Sequence, residues 1–470
     1  MFYEIKPSEK TAFITSDGHR ITYAELNRQV QETAKLLEAR RVCFCLCENS
    51  VRSIVNYLSC LNAGTVPLLL SKEIDHDLLD NLIRTYRPEY LFVTESREKE
   101  TEGYFPVFSS DGYVMLKAAV PDGTPVAEEL ALLLTTSGST GSPKLVRQSY
   151  RNIQSNAEAI AEYLHLDADQ RPVTTLPMNY TYGLSIINSH LLVGATILLT
   201  DLPMNMKGFW TFMKGERATS FGGVPFTYEM LKKVRIFKMD LPDLEYMTQA
   251  GGKLRPELHG EFAEWAANTG KKFIVMYGQT EATARMAYLP PEKSLQKVGS
   301  MGIAIPGGRF SLLDTEGKII SDSDTVGEFV YEGPNVTMGY SECREDLGKG
   351  DERNGRLVTG DMAKRDSDGY YTIVGRKKRF LKVFGNRVNL DELERIIAGA
   401  FPDLECAAAG QDDLVRLFIT DASRKGEVRG HAAAVTHLSE SAFSVEYLET
   451  IPKNDSGKIL YKDLPKEEQK

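Results

Sequence analysis

Residues 134–144 read Leu134-Thr135-Thr136-Ser137-Gly138-Ser139-Thr140-Gly141-Ser142-Pro143-Lys144 and follow the apolar pair Leu132 and Leu133. A strand that runs into such a loop offers backbone N–H groups and short hydroxyl donors to phosphate oxygens, and its glycines let the backbone approach closely. Lys144 closes the segment with a positive charge. The spacing is not the G-x-x-x-x-G-K-[ST] of a Walker A loop, because Pro143 directly precedes the lysine. The chemistry on offer is phosphate binding by a different loop; the plain alternative is a Ser/Gly-rich surface turn, which uses the same residue types.

Further reactive segments follow in order. Gln249-Ala250-Gly251-Gly252-Lys253-Leu254 is a glycine turn, and Tyr277-Gly278-Gln279-Thr280-Glu281 combines an aromatic ring, a hydroxyl and a carboxylate. Val358-Thr359-Gly360-Asp361 sets an aspartate after a glycine, Gly375-Arg376-Lys377-Lys378-Arg379 opens a basic stretch, and Asn454-Asp455-Ser456-Gly457-Lys458-Ile459 carries a late lysine. Taken singly, each has a bland explanation as a turn, a strand end or a solvated charge. As an ordered set they resemble the adenylate-forming superfamily of acyl-CoA synthetases, firefly luciferase and peptide-synthetase adenylation domains. Thr22-Tyr23-Ala24-Glu25-Leu26 and Ala63-Gly64-Thr65-Val66-Pro67-Leu68 match early landmarks of the same family, so the resemblance spans nearly the whole chain.

The resemblance implies a role for each matched residue. Thr136, Ser137, Gly138, Ser139, Thr140, Gly141 and Lys144 would bind the phosphates of ATP. Gly251 and Gly252 would lie beside the adenine and the substrate carboxylate, and Tyr277, Gly278 and Gln279 would complete the nucleotide site with Tyr277 against the base. Thr280 would contact the α-phosphate, and Glu281 would help to hold Mg2+, the hard cation that a polyphosphate requires. Asp361 would accept hydrogen bonds from both ribose hydroxyls, since a vicinal diol suits a carboxylate with two acceptor oxygens. Arg376 would bind phosphate or ribose, Lys378 occupies the hinge position, and Lys382 to Gly385 would be the loop presented during thioester formation. Lys458 would bridge the substrate carboxylate and the α-phosphate. Tyr180, Tyr182 and Gly183, in Pro177-Met178-Asn179-Tyr180-Thr181-Tyr182-Gly183, fall at the acyl pocket.

The activity so implied is ATP-dependent ligation of a small carboxylic acid, first to an acyl-adenylate with release of pyrophosphate. The acyl group then passes to CoA or to the phosphopantetheine of a stand-alone carrier protein, with release of AMP. Leu145, Tyr150 and Tyr180 depart from the glycine and the two histidines frequent in the family, and these departures bear on pocket shape and gating. Amino-acid-activating relatives commonly place an aspartate after the proline motif; residues 180–187 contain no carboxylate, so an uncharged acyl or aryl tail is favoured. The rival readings are a stand-alone amino-acid-activating enzyme, a non-catalytic nucleotide-binding interaction protein, and an oxygenase of the luciferase kind.

These residues need a scaffold. Over the first 310 residues short apolar strands alternate with amphipathic stretches, as in residues 23–37 and then 41–47, which predicts α/β architecture with largely parallel sheets. The family resemblance casts this as a large N-terminal domain of layered αβαβα sheets, residues 1–377. From about Gly307 the texture changes to short strands and turns, a small β-rich subdomain. A small mobile α+β domain, residues 379–470, would follow a hinge at Lys378, with the basic run 376–379 read as a solvated linker and the tail after Leu464 as frayed. The 470 residues suffice for two or more domains, and a net charge of -9 argues against a general nucleic-acid binder. Met1-Phe2-Tyr3-Glu4-Ile5-Lys6 turns polar at once and no apolar run spans a membrane, so a cytoplasmic location is expected. Cys43, Cys45 and Cys47 alternate on one strand; with no nearby histidine or cysteine pair to complete a metal site, they read as reduced core thiols.

Overall fold

The computed structural model describes residues 1–135, 144–384, 386–411, 413–453 and 459–465. The chain separates into two compact units, Met1–Arg309 with Tyr331–Leu357, and Phe310–Val330 with Val358–Lys470.

Two large sheets organise the first unit. One orders its strands Ile303–Ala304, Ala287–Tyr288, Lys272–Tyr277, Tyr246–Gln249, Ser220–Gly223, Pro172–Val173, Ile197–Leu199, Thr11–Thr15 and Arg20–Thr22, parallel in the middle and antiparallel at both edges. The other runs Gly339–Ser341, Leu145–Ser149, Leu130–Thr135, Val66–Ser71, Val42–Cys47, Tyr90–Thr94, Tyr113–Ala118 and Tyr104–Ser110, again with a parallel centre. Parallel neighbours need crossover helices, and these supply the alternation seen in the sequence.

Val42–Cys47 illustrates why the central strands are apolar throughout. Val42, Phe44 and Leu46 pack into one core, Cys43, Cys45 and Cys47 into another, as a strand covered on both faces requires. The three thiols do share a face. The helix Val51–Ala63 adds Cys60, whose sulfur lies with those of Cys43 and Cys45 inside a 4.8 Å cluster. Proximity along the chain could not reveal this fourth thiol on the same face. Burial pushes the Cys43 and Cys45 thiols well above their usual range.

Antiparallel pairing of Gly339–Ser341 with Leu145–Ser149 brings Tyr340 opposite Val146. Arg147 clamps this edge. Fully buried, it donates to the carbonyls of Tyr340 and Lys349 and pairs with Glu352. The helix Tyr150–Leu164 begins at a reciprocal cap between Ser149 and Asn152, and Asn152 Nδ2 also donates to Pro334 and Val336 carbonyls at 2.8 and 2.7 Å.

The second unit holds most of a four-stranded sheet, Arg309–Leu313, Gly327–Glu332, Arg356–Arg365 and Tyr371–Arg376, the β-rich part expected after Gly307. A hairpin of Phe380–Val383 and Asn386–Asn389 follows, then a three-stranded sheet with the helices Leu390–Ala400 and Lys425–Thr436. Lys378 lies in the short turn Lys377–Arg379 inside this unit. Among the described residues no helix is long and apolar enough to cross a membrane. The helix Thr181–Leu192 buries the polar side chains of Ser185, Asn188, Ser189 and His190.

Candidate active site

The Tyr277–Glu281 segment leaves the end of strand Lys272–Tyr277 and enters a short 3₁₀ turn, Thr280–Ala282. Gly278 permits it: a Cβ there would sit 1.5 Å from the Ala284 carbonyl oxygen. Thr283 and Ala284 take positive φ values of 54° and 98°, strained for residues with side chains. Asn335 holds them, donating from Nδ2 to the carbonyls of Ala282 and Arg285 at 2.8 and 3.0 Å, while Thr283 Oγ1 donates to the Asn335 carbonyl. Gln279 Nε2 donates to Tyr277 Oη at 3.0 Å.

Glu281 meets residues that the motif search missed. Tyr340 Oη donates to Glu281 Oε1 at 2.7 Å. Burial, reinforced by the Glu281 charge, pushes Tyr340 up to about 12, so the phenol keeps its proton and remains a donor. The Lys144 ammonium lies 3.9 Å from the Tyr340 ring centroid and 3.6 Å from Glu342. Arg353 also lies over that ring, at 4.6 Å, and donates to the Glu281 carbonyl at 3.0 Å. Lys144, Tyr340, Glu281 and Arg353 thus form one cluster of alternating charge around an aromatic ring. Tyr340 and Arg353 lie outside the motifs read from the sequence; strand pairing with Leu145–Ser149 places Tyr340, and the contact with the Glu281 carbonyl places Arg353.

A second cluster surrounds the glycine turn. Gly251 adopts φ +82°, and a Cβ there would meet Tyr180 Oη at 2.6 Å. Tyr182 Oη shares a 2.7 Å hydrogen bond with Thr248 Oγ1 and lies against Gly222, where an added Cβ would come within 2.9 Å of it. Gly183 packs so closely that a Cβ would lie 2.3 Å from the Pro177 carbonyl oxygen. Gln249 Nε2 donates to the Gly252 carbonyl at 3.0 Å. The structure therefore brings Tyr180 and Tyr182 to the strand ends that carry Gly222 and Gly251, and the two phenol rings fill much of the space there.

In the second unit Asp361 and Arg376 are register partners on adjacent strands, Arg376 Nε lying 3.2 Å from Asp361 Oδ1. Gly360 turns with φ +73°, and Thr359 Oγ1 accepts from the Asp361 N–H while donating to the Phe329 carbonyl. Asp361 is buried, and the Arg376 side chain is exposed. Arg379 corrects the reading of residues 376–379 as a solvated linker. It is largely covered by Asp391 (2.7 Å), Glu394 (2.6 Å) and the Tyr461 ring (3.8 Å), and of the four only Arg376, Lys377 and Lys378 are exposed. Thr136, Ser137, Gly138, Ser139, Thr140, Gly141, Gly385 and Lys458 lie outside the described residues, as does the side chain of Lys382.

The fold and these clusters define a nucleotide-handling α/β enzyme. Residues 4–341 match the family described as "AMP-binding enzyme", and the chain belongs to that family. It is 28% identical to the peroxisomal OPC-8:0-CoA ligase 1 of Arabidopsis thaliana over 97% of this chain and 90% of that protein. It is 27% identical to 4-coumarate–CoA ligase-like 2 of the same plant, over 97% and 88%. Among solved structures, o-succinylbenzoate CoA synthetase from Bacillus subtilis with its acyl-adenylate intermediate superposes with a TM-score of 0.79 at 21% identity, covering 98% of this chain and 96% of that one.

Proposed function

We propose that this chain is an ATP-dependent acid–CoA ligase. It would join a small carboxylic acid to AMP with release of pyrophosphate, then transfer the acyl group to the thiol of CoA with release of AMP. The observation that carries this reading is the Lys144–Tyr340–Glu281 cluster beside the Tyr277–Glu281 turn, which sets a cation suited to phosphate next to a carboxylate suited to magnesium. Full-length relatives that are named CoA ligases support CoA as the acceptor.

A substrate carboxylate is ionised at neutral pH and needs no general base to attack the α-phosphorus. The work left to the protein is positioning and charge neutralisation. Lys144 and the loop donors of residues 136–141 would bind the phosphates, Thr280 the α-phosphate, Tyr277 the adenine and Asp361 the ribose. Arg376, held by Asp361, would reach phosphate or ribose, and Lys458 would span the two reacting groups. Glu281 fits magnesium: it is a hard oxygen donor whose Oε1 is steered by Tyr340. Bound there, the cation would neutralise phosphate charge. The small domain would then turn about Lys378 and offer the loop 382–385 to the second half-reaction.

An amino-acid substrate is disfavoured because the charged group against the Tyr182 ring is a cation, Arg285. The test is acid-dependent ATP–pyrophosphate exchange across a panel of acids, followed by acyl transfer to CoA or to a phosphopantetheinylated carrier protein. Exchange with thioester formation on CoA supports the proposal. Exchange with transfer only to the carrier reassigns the acceptor, and absence of exchange with every acid class overturns the ligase reading.

A further inference from the structure

Arg285 stands four residues beyond Glu281, and its side chain is buried to 2% exposure. Its Nε donates to Ser185 Oγ at 3.1 Å, Nη1 donates to Tyr163 Oη at 2.9 Å and approaches Met276 Sδ at 3.5 Å, and the guanidinium lies 5.2 Å from the Tyr182 ring centroid. All these partners are neutral. Arg147 and Arg344, buried at least as deeply, each face a carboxylate: Arg147 pairs with Glu352, and Arg344 lies 2.8 Å from Glu89. Among the described residues Arg285 has no carboxylate partner. His190 adds no negative charge. Burial holds it down to about 4, the Arg285 field works in the same direction, and its Nε2 faces Tyr246 Oη at 3.2 Å. A guanidinium taken from water without an anion is unfavourable, and an anion supplied from outside would offset that cost.

The surroundings of Arg285 point to where that anion enters. Tyr182 separates Arg285 from Gly222 and Thr248 at the acid-binding strand ends. On its other side Ser185, the acceptor for Arg285 Nε, lines a cleft between helices Tyr150–Leu164 and Thr181–Leu192. Its wall is mixed: Gln148, Asn156, Thr181, Asn188 and Thr283 share it with Ile153, Ala157 and Leu184. Two wall atoms are buried with no hydrogen-bond partner, Gln148 Nε2 and Asn188 Oδ1, in residues only 1% and 5% exposed. Unpartnered buried amide groups facing a cleft are sites for a polar ligand or water, and a hydrocarbon tail would leave them unsatisfied.

We infer that the acid substrate carries a second carboxylate, and that Arg285 binds this distal group while the amides of Gln148 and Asn188 face its polar tail. The inference rests on the ligase reading and departs from the uncharged tail that the sequence favours. The absence of a carboxylate from residues 180–187 argues against an ammonium on the substrate and leaves a cation such as Arg285 free to select an anion.

The experiment measures acid-dependent ATP–pyrophosphate exchange with length-matched pairs: glutarate against pentanoate, adipate against hexanoate, phthalate against benzoate. Arg285→Gln and Arg285→Lys are run beside the wild type, with melting curves. A dicarboxylate should be preferred within at least one pair. In Arg285→Gln the ratio of kcat/KM between the two acids of that pair should fall about 100-fold, chiefly through KM, with partial recovery in Arg285→Lys. A merely structural arginine would lower both acids of a pair together and leave the ratio unchanged, which overturns the inference. Robust exchange with monocarboxylates and none with dicarboxylates also overturns it while the ligase reading stands. Absence of exchange with every acid removes both.

Discussion

Tyr340 Oη and Glu281 Oε1 lie 2.7 Å apart, joined by a hydrogen bond across 59 residues of sequence. The contact ties the edge strand Gly339–Ser341 to the turn after Tyr277, and the same phenol ring carries the Lys144 ammonium on it. One aromatic residue thus fixes the spacing between the Lys144 ammonium and the Glu281 carboxylate.

Tyr340→Phe keeps the ring and deletes the hydroxyl. A hydrogen bond to a charged group contributes about 1.5–3 kcal/mol, so adenylation at limiting magnesium should fall roughly 10- to 100-fold. Saturating magnesium should restore part of the rate, because the carboxylate remains. Titration of pyrophosphate exchange against magnesium reads this directly; an unchanged magnesium dependence would detach Glu281 from metal binding.

Gly278→Ala tests the backbone of the turn. Its Cβ would fall 1.5 Å from the Ala284 carbonyl oxygen, a clash that only a backbone shift relieves. Overpacking of this kind costs about 1–3 kcal/mol, and adenylation should drop with it. Gly123→Ala is the control, since a Cβ there meets nothing within 4 Å and should leave the urea midpoint in place.

Much of this was legible in the sequence, for identifiable reasons. Alternating apolar strands and helices announce parallel sheets because both sheet faces are covered, and Val42–Cys47 is such a strand. Motif order announces the family because glycine turns and carboxylates recur at fixed places along the chain. Tyr340, Arg353, Cys60 and Arg285 were not legible, since each acquires its meaning from a partner distant in sequence. The Arg285–Ser185 contact spans 100 residues, and no local pattern encodes it. Arg379 was misread for the same reason: Asp391, Glu394 and Tyr461, which bury it, come later in the chain.

Stability should decline as pH falls from about 6.5 to about 4. Burial holds both His190 and His259 down to about 4, against 6.5 for a free histidine. A depressed folded-state value means that the unfolded chain takes up protons first. The contribution is therefore complete above 6.5 and is lost as pH drops towards 4. The shift corresponds to an upper figure of roughly 3 kcal/mol per histidine. Urea unfolding at pH 7, 5.5 and 4.5 should show the loss, and His190→Gln should flatten it; an identical slope in the variant would assign the decline to other groups.

Asp361→Ala should weaken ATP binding by about 10- to 100-fold, from about 1.5–3 kcal/mol, and leave the choice of acid alone. The loss has two parts, because Arg376 also loses the partner that lies 3.2 Å from its Nε. Measuring KM for ATP with two acids separates the outcomes. A changed acid preference at constant ATP affinity would move the ribose site elsewhere.

Lys378→Pro tests the pivot. Lys377 Nζ is tied to Glu328 at 2.8 Å, on the four-stranded sheet, while Arg379 is tied to Asp391 and Glu394 on the helix Leu390–Ala400. The exposed Lys378 is the link between two anchored neighbours, the arrangement expected of a residue whose torsions absorb a rotation. Proline fixes φ near −65° and should hold the small domain in one pose. Adenylation should survive, while thioester formation from a supplied acyl-adenylate should fall by orders of magnitude. A melting curve must first show that the variant folds, since proline can also destabilise the chain directly. In a well-folded variant, thioester formation at the wild-type rate would mean that the rotation, if it occurs, turns about another residue.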